Sequence, residues 1–152
     1  MRALIILLFM IAPVFVAEAD SNVTAECFKK AFTQHAMNKC SGLNYKIADT
    51  ELNRVYKLIK HVYREDKLFI KRMKHAQRAW LKFRDSQFEM MYPQKDKQSA
   101  YGSAFSLCEN SYKARLTLER VVQLKQWLVG AEEGDICAGS LKRPFEIEKQ
   151  LK

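Results

Sequence analysis

The 152-residue chain is 48% hydrophobic with five glycines and three prolines, which fits one helix-rich domain and excludes collagenous, low-complexity and disordered classes. Its formal charge is +9, and it holds four cysteines. The length and apolar distribution exclude a large enzyme and a multi-pass membrane protein.

Residues 1–19, MRALIILLFMIAPVFVAEA, read as a cleavable secretory signal. Arg2 is the positive start. Leu4 to Val16 is an apolar run of 13 residues, shorter than the roughly 20 needed to cross a bilayer. Ala17-Glu18-Ala19 places small residues at the cleavage site, so the mature chain is expected to begin at Asp20. The expected organisation is a signal at 1–19, a helical domain at 20–128 and an irregular tail at 129–152 with a short turn of helix at its end. The product is expected to be exported, periplasmic or extracellular. An oxidising compartment makes Cys27, Cys40, Cys108 and Cys137 candidates for disulfides. Their spacings contain no CxxC, and His35, His61 and His75 add no ligand pattern, so neither a metal nor a cofactor is expected.

A short helical piece is predicted over Thr24 to Phe32. The first long helix is predicted to begin near Thr33, a residue suited to an N-cap. Met37, Cys40, Ala48, Leu52, Val55, Ile59 and Val62 follow at mostly three- and four-residue steps, an amphipathic pattern. A second helix is predicted from Glu65 to Met91. Phe69, Met73, Ala76, Trp80 and Phe83 form its apolar stripe, and Lys67, Lys71, Lys74, Arg78 and Lys82 project from the opposite face. Tyr92-Pro93 ends it, and Gln94 to Ser99 reads as a polar loop. A third helix is predicted over Ala100 to Leu128. The fold class is all-α: an antiparallel bundle of three main helices with a short N-terminal helical piece, disulfide-bonded.

Four cysteines allow three pairings. A third helix reaching Leu128 carries the chain about 30 Å beyond Cys108. The residues from Val129 to Cys137 can reach back about the same distance, to Cys108 but hardly to Cys27. A reversal near Thr33 would set Cys27 level with Cys40. Cys27–Cys40 with Cys108–Cys137 is therefore favoured. The rival is Cys40–Cys108, which leaves Cys27–Cys137.

The residues now line up with a known family. Thr33 to Cys40 (TQHAMNKC) is similar to the T-x-x-x-M-N-x-C opening of the LprI-like lysozyme inhibitors. Ala48 to Tyr56 (ADTELNRVY) resembles their A-D-x-x-L-N-x-x-Y element, and Ala76 to Asp85 (AQRAWLKFRD) their A-Q-R-A-W-L-x-[YF]-R-D signature. Gly102-Ser103, Cys108, Arg115 and Leu118 match the closing run. The chain departs from the pattern at Phe88, where the family usually carries cysteine, and at Ala36, where glutamate would complete a capping box with Thr33. The resemblance implies a small, secreted, disulfide-bonded helical domain that inhibits lysozyme-type muramidases.

Asn53, Gln77, Arg84, Asp85 and Arg115 are the polar members of the matched blocks. Gln77 and Arg84, seven apart, share a flank of the apolar face and could bond across to another helix; Asp85 falls nearer the basic face, within reach of Arg78 or Lys82. No nucleophile–base pair, close carboxylate pair or phosphate loop is present in the pattern, so no catalytic residue is expected. Residues 57–84 hold ten Lys and Arg against Glu65 and Asp66, while the rest of the mature chain is nearly neutral. Such a face is either solvated or a contact surface for an anionic envelope polymer or lipid head groups; nucleic acid is poorly supported, because the aromatic residues there point inward. The loop from Tyr92 to Tyr101, with Lys95 and Lys97, is a candidate inhibitory plug. The two readings are an inhibitor of a lysozyme-type enzyme and, as the alternative, a basic module on anionic envelope polymers or membrane surfaces.

Overall fold

The computed structural model describes residues 15–152, with side chains from residue 22. The signal segment expected over 1–19 lies outside the described residues except for the backbone of 15–19. Among the described residues six helices follow in order: α1 (Phe15–Lys29), α2 (Gln34–Val62), α3 (Lys67–Met91), α4 (Lys97–Tyr101), α5 (Phe105–Val129) and α6 (Pro144–Leu151). No strand occurs among the described residues. The all-α bundle expected from periodicity is present.

Helix α2 begins where the sequence places its cap. Thr33 is extended (φ −123°, ψ 153°), and its Oγ1 accepts the Ala36 N–H at 3.1 Å, which satisfies one of the helix's free N-terminal donors. Asp66 does the same for α3, accepting from Phe69 N at 2.8 Å. The centre of the bundle is the α2–α5 pair. Small buried residues line its seam: Ser41 and Ala48 on α2, Ala114 and Thr117 on α5. Short side chains let the two backbones approach, and Asn110 Nδ2 reaches across to Ser41 Oγ at 3.3 Å.

The main core lies at the end of the bundle where α2 turns into α3. Leu52, Val55, Ile59, Val62 and Tyr63 meet Phe69 and Met73 of α3, Val121 and Leu124 of α5, and Ile147 of α6. Tyr63, Phe69 and Trp127 form an aromatic trio, with Tyr63–Phe69 centroids 4.3 Å apart and Phe69–Trp127 4.9 Å apart. A second aromatic cluster closes the other end: Phe88 lies 5.2 Å from Tyr92 and 5.9 Å from Phe105. Helix α3 is thus pinned at both ends.

The apolar stripe expected on α3 is buried only in part: Phe69, Met73 and Trp80 face inward, and Ala76 and Phe83 do not. Phe83 is 53% exposed and Ala76 is also exposed, whereas Arg84 is 8% exposed. The inward face runs Phe69, Met73, Gln77, Trp80, Arg84, Phe88. At about 100° per residue that set clusters on one side of Phe69, while Ala76 and Phe83 drift to the other.

The tail runs through turns over 130–143 and ends in the short helix α6. Pro144 opens α6 at its first turn, where its missing N–H costs nothing, and Ile147 is 2% exposed in the core. Gly130 makes the turn out of α5 with φ 88°, and a Cβ there would meet Lys142 O at 2.5 Å. Ala131 N donates to that same carbonyl at 3.1 Å. The segment Gln94 to Ser99, expected as loop, includes the start of the short helix α4, capped by Asp96 Oδ1 on Ser99 N at 3.0 Å.

Cys27 and Cys40 are joined, with Cα atoms 5.6 Å apart. The second expected bond, Cys108–Cys137, is not formed; both are free, exposed thiols. Three successive backbone turns, Asp135 N to Glu132 O, Ala138 N to Asp135 O and Leu141 N to Ala138 O, coil the tail near the end of α5. Some 20 residues of helix, about 30 Å, separate that end from Cys108. The rival Cys40–Cys108 is excluded by the bond to Cys27.

Glu51 ties α2 to α5: its carboxylate accepts from Arg54 Nε at 2.6 Å and pairs with Lys125 Nζ at 2.9 Å. The Arg54 hydrogen bond, helped by Lys125 and opposed by partial burial, holds its pKa below the ordinary value. A depressed carboxyl contributes stability above its unfolded pKa, about 4.3, and that contribution is lost as pH falls through the folded value. Urea titrations should therefore show a midpoint that holds from neutral pH down to about 4.3, the unfolded value, and declines as pH falls from there through the folded value. Glu51→Gln should flatten part of the decline; an unchanged slope in that variant would show that Glu51 does not contribute.

Candidate functional site

The signature block of α3 divides into two sets of residues with different tasks. The first set, Gln77, Trp80 and Arg84, faces inward and is tied to both neighbouring helices. The Arg84 guanidinium lies 5.9 Å from the Tyr45 ring of α2 and 5.5 Å from the Trp80 ring. The Arg120 guanidinium of α5 lies 5.8 Å from the same Trp80 ring. Arg120 Nε donates to Gln77 Oε1 at 3.1 Å. The result is a ladder, Tyr45–Arg84–Trp80–Arg120, running across three helices and closed by Gln77. Cation–π contacts of this kind are worth about 0.5–2 kcal/mol each as they become desolvated.

Gln77 therefore bonds across to another helix as its spacing suggests. Arg84 does not: it reaches α2 by stacking, and its hydrogen bonds go to its neighbour, with Nε and Nη2 on Asp85 Oδ1 at 3.0 and 2.9 Å. Asp85 pairs with Arg84 rather than with Arg78 or Lys82. A guanidinium that is nearly buried needs a nearby anion, and the adjacent residue supplies it at the helix surface. Burial pulls the Arg120 guanidinium below its ordinary pKa, yet arginine stays charged.

The second set borders a groove between α2 and α3, and Gln77 belongs to both. Asp49, Leu52, Asn53 and Tyr56 of α2 and Lys74, Gln77, Arg78 and Leu81 of α3 line an open groove of about 430 Å³. Seven of these eight belong to the two central matched blocks, which lie some twenty residues apart in sequence and here form the two walls of one groove. Asn53 is held in its wall by Asp49, donating to its carbonyl at 2.8 Å and to Oδ2 at 2.9 Å. The acid of the groove is thereby partly engaged on its own helix.

On the α3 rim the cations are free. Lys71, Lys74, Arg78 and Lys82 are exposed, and none has a carboxylate partner among the described residues. Their steps of 3, 4 and 4 keep them within about 80° of one another on the helix. Lys67 departs from this row, because its Nζ donates to Arg64 O at 2.8 Å.

The remaining expected residues are elsewhere. Arg115 pairs with Glu119 one turn along α5 at 3.0 Å and lies over Tyr112; it joins neither set. Tyr92 and Tyr101 are turned onto one another, centroids 5.1 Å apart, and both pack on Phe105. Lys97 is not a free cation: its Nζ donates to Glu89 Oε2 at 2.9 Å, Tyr92 O at 2.9 Å and Gln94 O at 3.1 Å. It caps the end of α3 rather than projecting. Of Tyr92, Lys95, Lys97 and Tyr101, Lys95 is the exposed one.

Sequence reasoning missed Tyr45 and Arg120. For Arg120 a signal was present: it stands three residues after Thr117 and four before Leu124, both buried, which sets its stem beside the core.

Residues 27–124 match the family described as lysozyme inhibitor LprI. The chain is also 30% identical over 115 residues to an uncharacterized protein of Rhizobium meliloti (strain 1021), covering 68% of this chain and 80% of that relative. No solved structure matches.

Proposed function

The chain belongs to the LprI lysozyme inhibitor family, and from that premise we propose that it inhibits a lysozyme-type muramidase through the cationic rim of the α2–α3 groove. One observation supports this placement: the two central family blocks converge on a single groove, and the rim beside it carries cations with no carboxylate partner among the described residues. Muramidases of this type cleave with a pair of carboxyl groups flanking the scissile bond. A guanidinium or ammonium held against those groups occupies the substrate's place and fixes their charge state. The protein acts as a binding partner, not as an enzyme, after export and removal of residues 1–19.

The loop at Lys95 supports the reading less well, because Lys97 is spent on capping α3. Coating of an anionic polymer, the alternative from the charge distribution, rests on the exposure of the basic face alone.

The test uses exported, oxidised protein whose N-terminal sequence begins at Asp20. It should slow lysis of peptidoglycan by at least one lysozyme with saturable, stoichiometric behaviour. Lys74→Glu with Arg78→Glu should raise the inhibition constant at least tenfold, about 1.4 kcal/mol, while Lys95→Glu leaves it unchanged. The reverse pattern moves the site to the loop. No inhibition of several lysozyme types at tens of micromolar, a binding energy weaker than about 7 kcal/mol, rejects the function.

A further inference from the structure

A second groove lies on the other side of α3, facing α5, and the family blocks do not account for it. It measures about 480 Å³, inside the roughly 300–1,000 Å³ range of small-molecule sites. Its floor is apolar: Phe69, Met73, Leu124 and the half-buried Trp127. Exposed Ala76 leaves the middle of the groove open.

Two guanidiniums, Arg72 and Arg120, border this floor. Arg120 is oriented by two neutral acceptors, Gln77 Oε1 and Gln123 Oε1, both at 3.1 Å. Arg72 is exposed and has no hydrogen-bonded or ionic partner among the described residues. Neither charge is cancelled. The acid that also lines the groove, Asp66, has its Oδ1 engaged at the start of α3, accepting from Phe69 N at 2.8 Å.

An apolar trough bordered by two uncompensated guanidiniums is complementary to one kind of small molecule. We propose that the α3–α5 groove binds a single-chain amphiphile of the fatty-acid class, its hydrocarbon chain on the Phe69–Met73–Trp127 floor and its carboxylate between Arg72 and Arg120. The planar guanidinium fork matches a carboxylate through paired N–H···O bonds, and the floor removes the chain from water. Neither part suffices: a neutral chain lacks the contact to the arginines, and a short carboxylate lacks the floor. This site is separate from the α2–α3 rim and does not rest on muramidase inhibition.

Dodecanoate, dodecanol and acetate are the probes, each added below its micellar or solubility limit to the mature, oxidised protein. Trp127 in the floor and Trp80 beside Arg120 report binding by fluorescence, and calorimetry gives the stoichiometry. Dodecanoate should bind one per chain, with dodecanol and acetate at least tenfold weaker. Arg72→Gln, an exposed replacement outside the core, should weaken dodecanoate about tenfold. Ala76→Trp should fill the groove and abolish binding. Absence of saturable dodecanoate binding, equal binding of dodecanol, or unchanged affinity in Arg72→Gln overturns the proposal. Should Ala76→Trp fail to fold, Arg72→Gln and the probe series decide alone.

Discussion

Replacing Tyr63 with alanine should cost about 3–5 kcal/mol, the range for removing a large buried aromatic side chain, and should bring the protein close to unfolding at room temperature. Tyr63 is 1% exposed and belongs to the main core. Its ring lies 4.3 Å from Phe69 and 6.1 Å from Trp127. Its hydroxyl donates to Trp127 O at 3.1 Å and accepts from Lys142 N at 3.0 Å. One side chain thus joins the end of α2 to the end of α5 and to the strand of chain leading into α6. Tyr63→Phe separates the two contributions. The ring stays, the carbonyl and the amide lose their partner, and the cost should be about 1–3 kcal/mol, read as a shift in the urea midpoint. Burial, more than any other cause, raises the phenol above its ordinary pKa. A raised acid contributes stability below its unfolded pKa, about 10 for tyrosine, and loses it as pH rises through the folded value. Wild-type protein should therefore weaken in alkali by more than Tyr63→Phe does. A phenylalanine variant as stable as wild type would show that the hydroxyl clamp contributes nothing.

Most of the helical frame is legible in the sequence because it rests on local rules. Thr33 and Asp66 are capping residues followed by periodic apolar runs, and both helices start there. The faces were less legible. On α3 two stripes compete, one through Ala76 and Phe83 and one through Gln77 and Arg84, and hydrophobicity selects the first. The second is buried because Tyr45 and Arg120, on other helices, supply partners that turn an arginine into a packing residue. No periodicity reports a contact across three helices. Polar residues and glycines dominate the tail and leave no periodic signal for its docking, yet a single buried isoleucine, Ile147, and two hydrogen bonds at Lys142 fix it. At the candidate site the matched blocks were visible as strings; that they face one another across a groove was not. The plug assigned to Lys97 failed for a local reason, since three oxygens at the end of α3 take up its ammonium.

Loss of the Cys27–Cys40 bond should release α1 while leaving the rest of the bundle folded. Cys27→Ser with Cys40→Ala is the cleaner variant, since Cys40 is 3% exposed and alanine suits that site better than serine. The bond closes a loop of sequence separation 13, for which chain entropy gives about 3 kcal/mol. That figure is a ceiling on the global effect, because the folded protein can also relax. Helix α1 packs on α2 and has little to hold it there: Val23 is 51% exposed and Phe28 36%. After cleavage at Ala19 about three turns would remain, and helices that short are marginal in water without packing. The α2–α5 seam and the Tyr63 core do not include α1. Hydrogen exchange should therefore show residues 20–30 losing nearly all protection in the variant, with α2 beyond Cys40 and α5 little changed. Amides of α1 that stay protected without the disulfide would show that non-covalent packing is enough to dock it. A collapse of protection throughout α5 would show that α1 belongs to the cooperative core.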